Sequence, residues 1–465
     1  MTGRHVLVVG GGITGLAAAL RLRDRYGDAV KVTVVEQARR LGGKILTGEI
    51  AGLPVETGAE TFLVRRPEVV ALAQRVGLAD LIRHPAPVRA GLYVAGELVD
   101  MPARTVMGVP ADAESVAGVV PADDVASIRD EATSEEPLLG EDEDVSVGEL
   151  ARRRLGDRLT DRLVDPLLGG VYAGRADDLS LATTVPGLAA AARRHTSLTR
   201  AAAATLAATP AASGPVFGTV EGGLSRLVRA VADASGADIR LGAPVRVLTR
   251  TPEGWRAEIG ATRDPSHLDA DAVILAVPAS PAARLLAPLH TGVAATVGEL
   301  DYASLALVTL VLPAVDLPDR SGFLVPASEG MTIKAGTFFG RKWPHLAAEK
   351  ITVVRMSIGR YGDTAPLRRD DNALIDTAHA ELSAVLRRSL PLPVEAVVQR
   401  WGGALPQYRP GHLDRVGSAR ASLAGHPIEL AGAGFDGVGI PACVASGQDA
   451  ADRLGDKWFG IPAPV

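Results

Sequence analysis

The run Gly10-Gly11-Gly12-Ile13-Thr14-Gly15 stands between an apolar strand pattern, Arg4 to Val9, and a helical pattern, Leu16 to Arg25. Glycines in this G-x-G-x-x-G spacing suit a buried strand that turns straight into a helix. The first permits the tight turn, the second lets backbone approach a pyrophosphate, and the third lets the helix lie close on the strand. A second buried strand, Lys31 to Glu36, ends in a carboxylate 21 residues after Gly15. A carboxylate there accepts from a ribose 2′-hydroxyl, which favours FAD or NAD over NADP. The bland alternative is a tight βα turn followed by a solvent-facing glutamate.

Arg40-Leu41-Gly42-Gly43-Lys44 follows at once, a second glycine pair between two cations. A nicotinamide site needs no second loop of this kind, so FAD leads NAD. Further on, Val220-Glu221-Gly222-Gly223-Leu224 precedes an amphipathic helix, and Pro244-Val245-Arg246-Val247 follows as a strand. For Val245, a backbone contact to the adenine and an ordinary buried strand valine remain equal readings.

Composition closes off other classes. The 465 residues carry a formal net charge of −5, so no global basic field holds nucleic acid. Cys443 is the single cysteine, which excludes an intrachain disulfide, a C-x-x-C couple and a cysteine-ligated metal cluster. The nine histidines are scattered without H-E-x-x-H spacing, so no metal site is expected. There is no signal peptide pattern and no stretch of 18 uncharged apolar residues. A cytoplasmic protein with at most peripheral membrane contact is expected.

The expected fold is α/β: a discontinuous FAD-binding Rossmann-like domain, a mixed-sheet substrate domain and an inserted helical lobe. Segments 1–85, 214–290 and 400–465 are assigned to FAD binding, 86–109 and 291–399 to the substrate domain, and 110–213 to the lobe. Strand patterns at Val245 to Leu248, Trp255 to Ile259 and Ala272 to Val277 read as the first domain resuming. The acidic stretch Glu131 to Glu149 reads as a solvated loop.

Several longer motifs narrow the reading: Gly58-Ala59-Glu60-Thr61-Phe62 with Arg65-Arg66, Pro166-Leu167-Leu168-Gly169-Gly170-Val171-Tyr172-Ala173-Gly174, Lys342-Trp343-Pro344-His345, Arg400-Trp401, Leu405-Pro406-Gln407-Tyr408 and Gly437-Val438-Gly439-Ile440-Pro441. In this order, over nearly the whole chain, they resemble the protoporphyrinogen/coproporphyrinogen oxidase family of the amine oxidase superfamily, with the bacterial coproporphyrinogen III branch nearest. Phe435 and Ala442 stand where relatives often carry tyrosine and aspartate.

The resemblance implies that Gly10, Gly11, Gly12, Ile13, Thr14, Gly15, Glu36, Gln37, Arg40, Gly43, Lys44, Gly58, Ala59, Glu60, Thr61, Val245, Trp401, Val438, Gly439 and Ile440 line FAD. It implies substrate contacts from Arg65, Arg66, Tyr172 and Gly174. Helix-flanking is the competing reading for the two arginines, and Lys334 reads as an ordinary strand residue. The implied reaction is oxygen-dependent, six-electron oxidation of coproporphyrinogen III to coproporphyrin III in haem biosynthesis. It releases hydrogen peroxide and precedes hand-off to a downstream ferrochelatase. Hydride would pass to flavin N5 while pyrrole N–H groups release protons, so no strong enzymatic base is required. Protoporphyrinogen IX is the alternative substrate; an amine or carotenoid oxidase and a non-catalytic flavin-binding protein are the remaining readings.

Overall fold

The computed structural model describes residues 4–208 and 214–459. The end of the alanine-rich tract and the segments 1–3, 209–213 and 460–465 of the expected domains lie outside them.

Five strands form one parallel sheet, in the spatial order Asp238–Leu241, Val30–Glu36, Arg4–Val9, Ala272–Leu275, Ile428–Leu430. The inner stretches of the three central strands, residues 6–9, 32–35 and 272–275, are Val, Ile, Leu and Ala but for Thr33, as a sheet covered on both faces requires. Numbered by chain position the order is 3-2-1-4-5, so the direction of winding reverses beside Arg4–Val9. Open α/β sheets bind ligands at the carboxyl ends of the strands at that reversal. The helices Ile13–Tyr26 and Ile440–Trp458 pack against each other on one face.

Two of the strands expected in this layer stand apart from it. Val245–Arg250, Trp255–Ala261 and Asp264–Ala270 form their own antiparallel sheet, and only Ala272–Leu275 enters the parallel one. Trp255, Ala257 and Ile259 point into a core shared with Leu7 and Leu275, which is why they read as buried strands.

The second large sheet has seven strands in the order Glu395–Pro406, Tyr302–Pro313, Ile351–Ile358, Ile333–Phe338, Gly322–Leu324, Gly91–Val94, Glu97–Asp100. All pairings are antiparallel except Gly322–Leu324 with Gly91–Val94. The helix Asp371–Val385 covers one face through Leu374, Ala378 and Leu382. The expected boundary at residue 400 falls inside the strand Glu395–Pro406, whose whole length belongs to this sheet.

Between Ala113 and Ala208 the chain is helical around a core that includes Leu150, Leu163, Leu188 and, from outside the lobe, Tyr408. The acidic stretch is no mere solvated loop. Glu131 is buried and accepts from the backbone of Leu198 and the hydroxyls of Ser197 and Thr199, holding its charge at the start of the helix Leu198–Ala208. Asp144 accepts from Ser180 Oγ and from the N–H of Gly411, tying the lobe to the segment after the seven-stranded sheet. No helix among the described residues is long and apolar enough to cross a membrane.

Candidate active site

The carboxyl end of the strand Arg4–Val9 is a turn in which the glycines do different work. Gly10 has φ 111°, and a Cβ there would sit 2.4 Å from the Ala276 carbonyl oxygen; a Cβ on Gly15 would sit 2.0 Å from the Gly10 oxygen. Both positions are closed by the protein itself. Gly12 has an ordinary φ of −73°, and its Cβ would meet nothing nearer than Gly43 Cα at 3.9 Å. The space over Gly12 is therefore an open cradle at the start of a helix, the geometry that a diphosphate fills.

Glu36 is fixed toward this cradle. Its carboxylate accepts from the N–H of Gly11 at 2.7 Å and of Ala38 at 2.8 Å, and each oxygen keeps a lone pair for a ribose hydroxyl. The N–H of Ala243 donates to the Glu36 carbonyl, bringing buried Val245 alongside. Gln37 is exposed, one residue past the carboxylate. The second glycine loop closes the other side: Gly42 N–H donates to the Gly11 carbonyl, and Arg40 donates to the carbonyls of Leu41, Gly43 and Ile45 while lying over the Trp401 ring. Arg40 staples the loop. Gly439, φ 110°, starts the helix Ile440–Trp458 with open space above it, and this helix meets the first one where Cys443 bonds Thr14. Two positive helix ends thus face the same region. These residues fit FAD.

Lys44, Gly58, Ala59, Glu60, Thr61 and Trp401 lie on the wall of a cavity of about 430 Å³ that continues over the seven-stranded sheet. Its far wall is apolar, from Leu305, Leu307, Phe323 and Leu324 on the sheet and Val171 on the lobe. Among the described residues four cations line it, Lys44, Lys334, Lys342 and Arg355, with Glu60 as the one acid. Glu60 is spoken for: it pairs with Lys342 at 2.7 Å and with Arg355, and accepts from the Trp343 indole at 2.8 Å. Burial alone would raise its pKa, but the two cations and the indole outweigh burial and bring it down to about 2. Burial lowers the pKa of Lys44, whose ammonium lies 5.7 Å over the Tyr302 ring.

The expected substrate residues fare differently. Arg65 and Arg66 are exposed and absent from the cavity wall; Arg66 instead donates to Glu68 across the start of the helix Pro67–Arg75, the helix-flanking role. The Tyr172 side chain is turned into the lobe core, edge-on to Tyr408, and its neighbours Gly170 and Val171 reach the cavity. Gly174 lines a second cavity, where a Cβ would sit 2.2 Å from Gln407 Oε1.

A model of flavin-containing amine oxidoreductases matches residues 13–455. The chain belongs to the flavin-containing amine oxidoreductase family. The coproporphyrinogen III oxidase of Mycobacterium leprae is 40% identical to it over 98% of this chain and 99% of that protein. The protoporphyrinogen oxidase of Bos taurus is 29% identical over 97% and 98% of the two chains. A solved structure from Exiguobacterium sp. 255-15, described as a protoporphyrinogen oxidase, superposes with a TM-score of 0.86 at 29% identity, covering 98% of this chain and 99% of that one. The cofactor of this flavin-containing amine oxidoreductase is FAD.

Sequence reasoning missed two features of its cavity. Lys334 is no ordinary strand residue: it is 7% exposed and lines both cavities. The only trace of this in the sequence is a lysine, one of six in the chain, inside a strand with no other charged residue. The Glu60–Arg355 pair joins residues 295 positions apart, and no local pattern announces it.

Proposed function

We propose that the chain oxidises coproporphyrinogen III to coproporphyrin III, with three O2 reduced to three H2O2 as the substrate loses six hydrogens. The observation that carries this reading is the single cavity that begins at the FAD-facing residues and continues between apolar walls carrying four cations against one acid already paired. A broad apolar ring bearing carboxylates fits such a chamber. A cationic amine would be repelled by it.

FAD supplies the two-electron acceptor. The protein's own work is positioning and electrostatics. Leu305, Leu307 and Phe323 form a face against which a macrocycle lies, and the cations anchor its acidic side chains. Among the described residues the cavity wall holds no histidine or cysteine and no unpaired carboxylate, which suits a substrate whose own pyrrole N–H groups give up the protons. The preference for coproporphyrinogen over protoporphyrinogen draws on the excess of cations, since four propionates gain more from it than two, and on the higher identity to the Mycobacterium relative than to the bovine one. In this reading the enzyme acts in the cytoplasm in haem biosynthesis and passes its product to a downstream ferrochelatase.

The test is aerobic turnover of both porphyrinogens by one preparation, following porphyrin fluorescence and peroxide together. The reading expects three peroxides for each coproporphyrin formed and slower use of protoporphyrinogen. Oxidation of protoporphyrinogen alone would move the substrate assignment, and turnover of an amine without porphyrin formation would remove it.

A further inference from the structure

Lys334 lies at a break in the seven-stranded sheet. Its neighbours Ile333 and Ala335 pair with Ile358 and Ser357 in the next strand, so Lys334 is the extra residue of a β-bulge. A bulge frees one side chain from the alternation of the strand and turns it elsewhere. Here it places an ammonium on the wall shared by the 430 Å³ cavity and a second one of about 640 Å³.

The ammonium has three donors and uses one, on the Gly169 carbonyl at 2.8 Å. No carboxylate among the described residues pairs with it. Of the four acids that line the second cavity, Asp161 pairs with Arg152 at 2.6 Å and Asp165 accepts from the N–H of Ala176 at 2.8 Å, while Asp178 and Asp363 form no ion pair with Lys334. The charged neighbour that acts on Lys334 is another cation, Arg360, whose guanidinium is itself held by the carbonyls of Val325, Met331 and Ile333. Burial, with Arg360 adding to it, lowers the Lys334 pKa to about 7. A buried ammonium with no anion gives up its proton more readily, and a carboxylate brought by a ligand favours the charged form again. A π-helical turn, Thr160–Val164, lies beside the second cavity, and such turns frequently mark functional sites.

We propose that Lys334 binds a carboxylate of the substrate, anchoring one propionate of the porphyrinogen at the wall between the two cavities. This rests on the substrate reading above. A carboxylate there completes the unused donors and supplies the missing charge, while the ring lies on the apolar wall of the first cavity.

The test titrates coproporphyrin III, the oxidised ring with the same four carboxylates, into the FAD-loaded protein and follows the porphyrin absorbance. Lys334→Met removes the charge in an apolar side chain of similar length. Lys334→Gln removes the charge but keeps a donor for Gly169, so it reads the charge even where the methionine variant folds poorly. Both variants, with FAD content and thermal midpoint like the wild type, are expected to bind coproporphyrin at least about tenfold more weakly. Wild-type affinity in the flavin-loaded glutamine variant would overturn the assignment of Lys334 while leaving the substrate reading intact. Failure of the wild type itself to bind coproporphyrin would overturn the substrate reading and this assignment with it.

Discussion

Glu56 and Glu60 lie four residues apart, both buried, yet their pKa values move in opposite directions. Burial pushes Glu56 up to about 7 despite its bonds from the Leu224 N–H and the Thr47 hydroxyl, because one carboxylate oxygen has no partner. Glu60 is equally buried but is drawn down to about 2 by Lys342 and Arg355. From an ordinary value of 4.5, Glu60 contributes stability that is present above pH 4.5 and lost as pH falls through about 2. Glu56 contributes stability present below pH 4.5 and lost as pH rises through about 7. Thermal midpoints against pH should therefore separate Glu60→Gln from Glu56→Gln. Glu60→Gln flattens the acid limb and costs about 3–5 kcal/mol at pH 7, since it leaves two cations buried without their anion. Glu56→Gln flattens the slope between pH 4.5 and 7 and costs little at pH 8. Identical pH profiles for the two variants would contradict this picture. The sequence shows both carboxylates but not their fates, because the groups that decide them arrive from positions 224, 342 and 355.

At the scale of elements, the glycine turn was legible because its constraint is local: strand, turn and helix follow one another within 26 residues. The structure adds which glycine serves which purpose. Gly12→Val, with an ordinary φ and open space above it, should leave the fold intact and lose FAD; the ratio of flavin to protein after gel filtration measures it. Gly15→Val should fail earlier, as unfolded or aggregated protein, because its side chain collides with the Gly10 carbonyl. A flavin-loaded Gly12→Val would remove the cradle from the FAD site. The start of the helix Pro67–Arg75 gives a contrasting expectation. Arg66 is half-exposed and paired to Glu68, so Arg66→Ala should cost about 0–1 kcal/mol and leave coproporphyrinogen turnover unchanged. A tenfold fall in kcat/KM would return Arg66 to the substrate site. Other elements were hidden for physical reasons. The strand Asp264–Ala270 is polar and mostly exposed, and Glu395–Pro406 contains two glycines and buries little of its length, so neither shows the apolar run or clean alternation of a strand.

For the whole molecule, the order of motifs along the chain made the fold class readable, whereas the division of strands between sheets depended on pairings between distant segments. The parallel sheet draws on residues 4–36, 238–275 and 428–430, and the glycine loops that fit FAD hang on its ends. The sheet therefore cannot open without dismantling the cradle. Flavin release, followed by its fluorescence, should not precede loss of far-ultraviolet circular dichroism on heating, because the cradle hangs on the ends of the sheet. Release of flavin well below the melting of secondary structure would show that the cradle loosens on its own. The same interleaving has a consequence during synthesis. The central strand Arg4–Val9 pairs on one side with Val30–Glu36, made moments later, but on the other with Ala272–Leu275. At about 5–20 residues per second a ribosome needs on the order of tens of seconds to supply that partner. For that interval the nascent chain carries an unpaired apolar edge, and the helix Ile440–Trp458 that completes the flavin cradle emerges later still. A flavin cradle that needs this helix therefore closes only after the segments on which the parallel sheet depends have all been made.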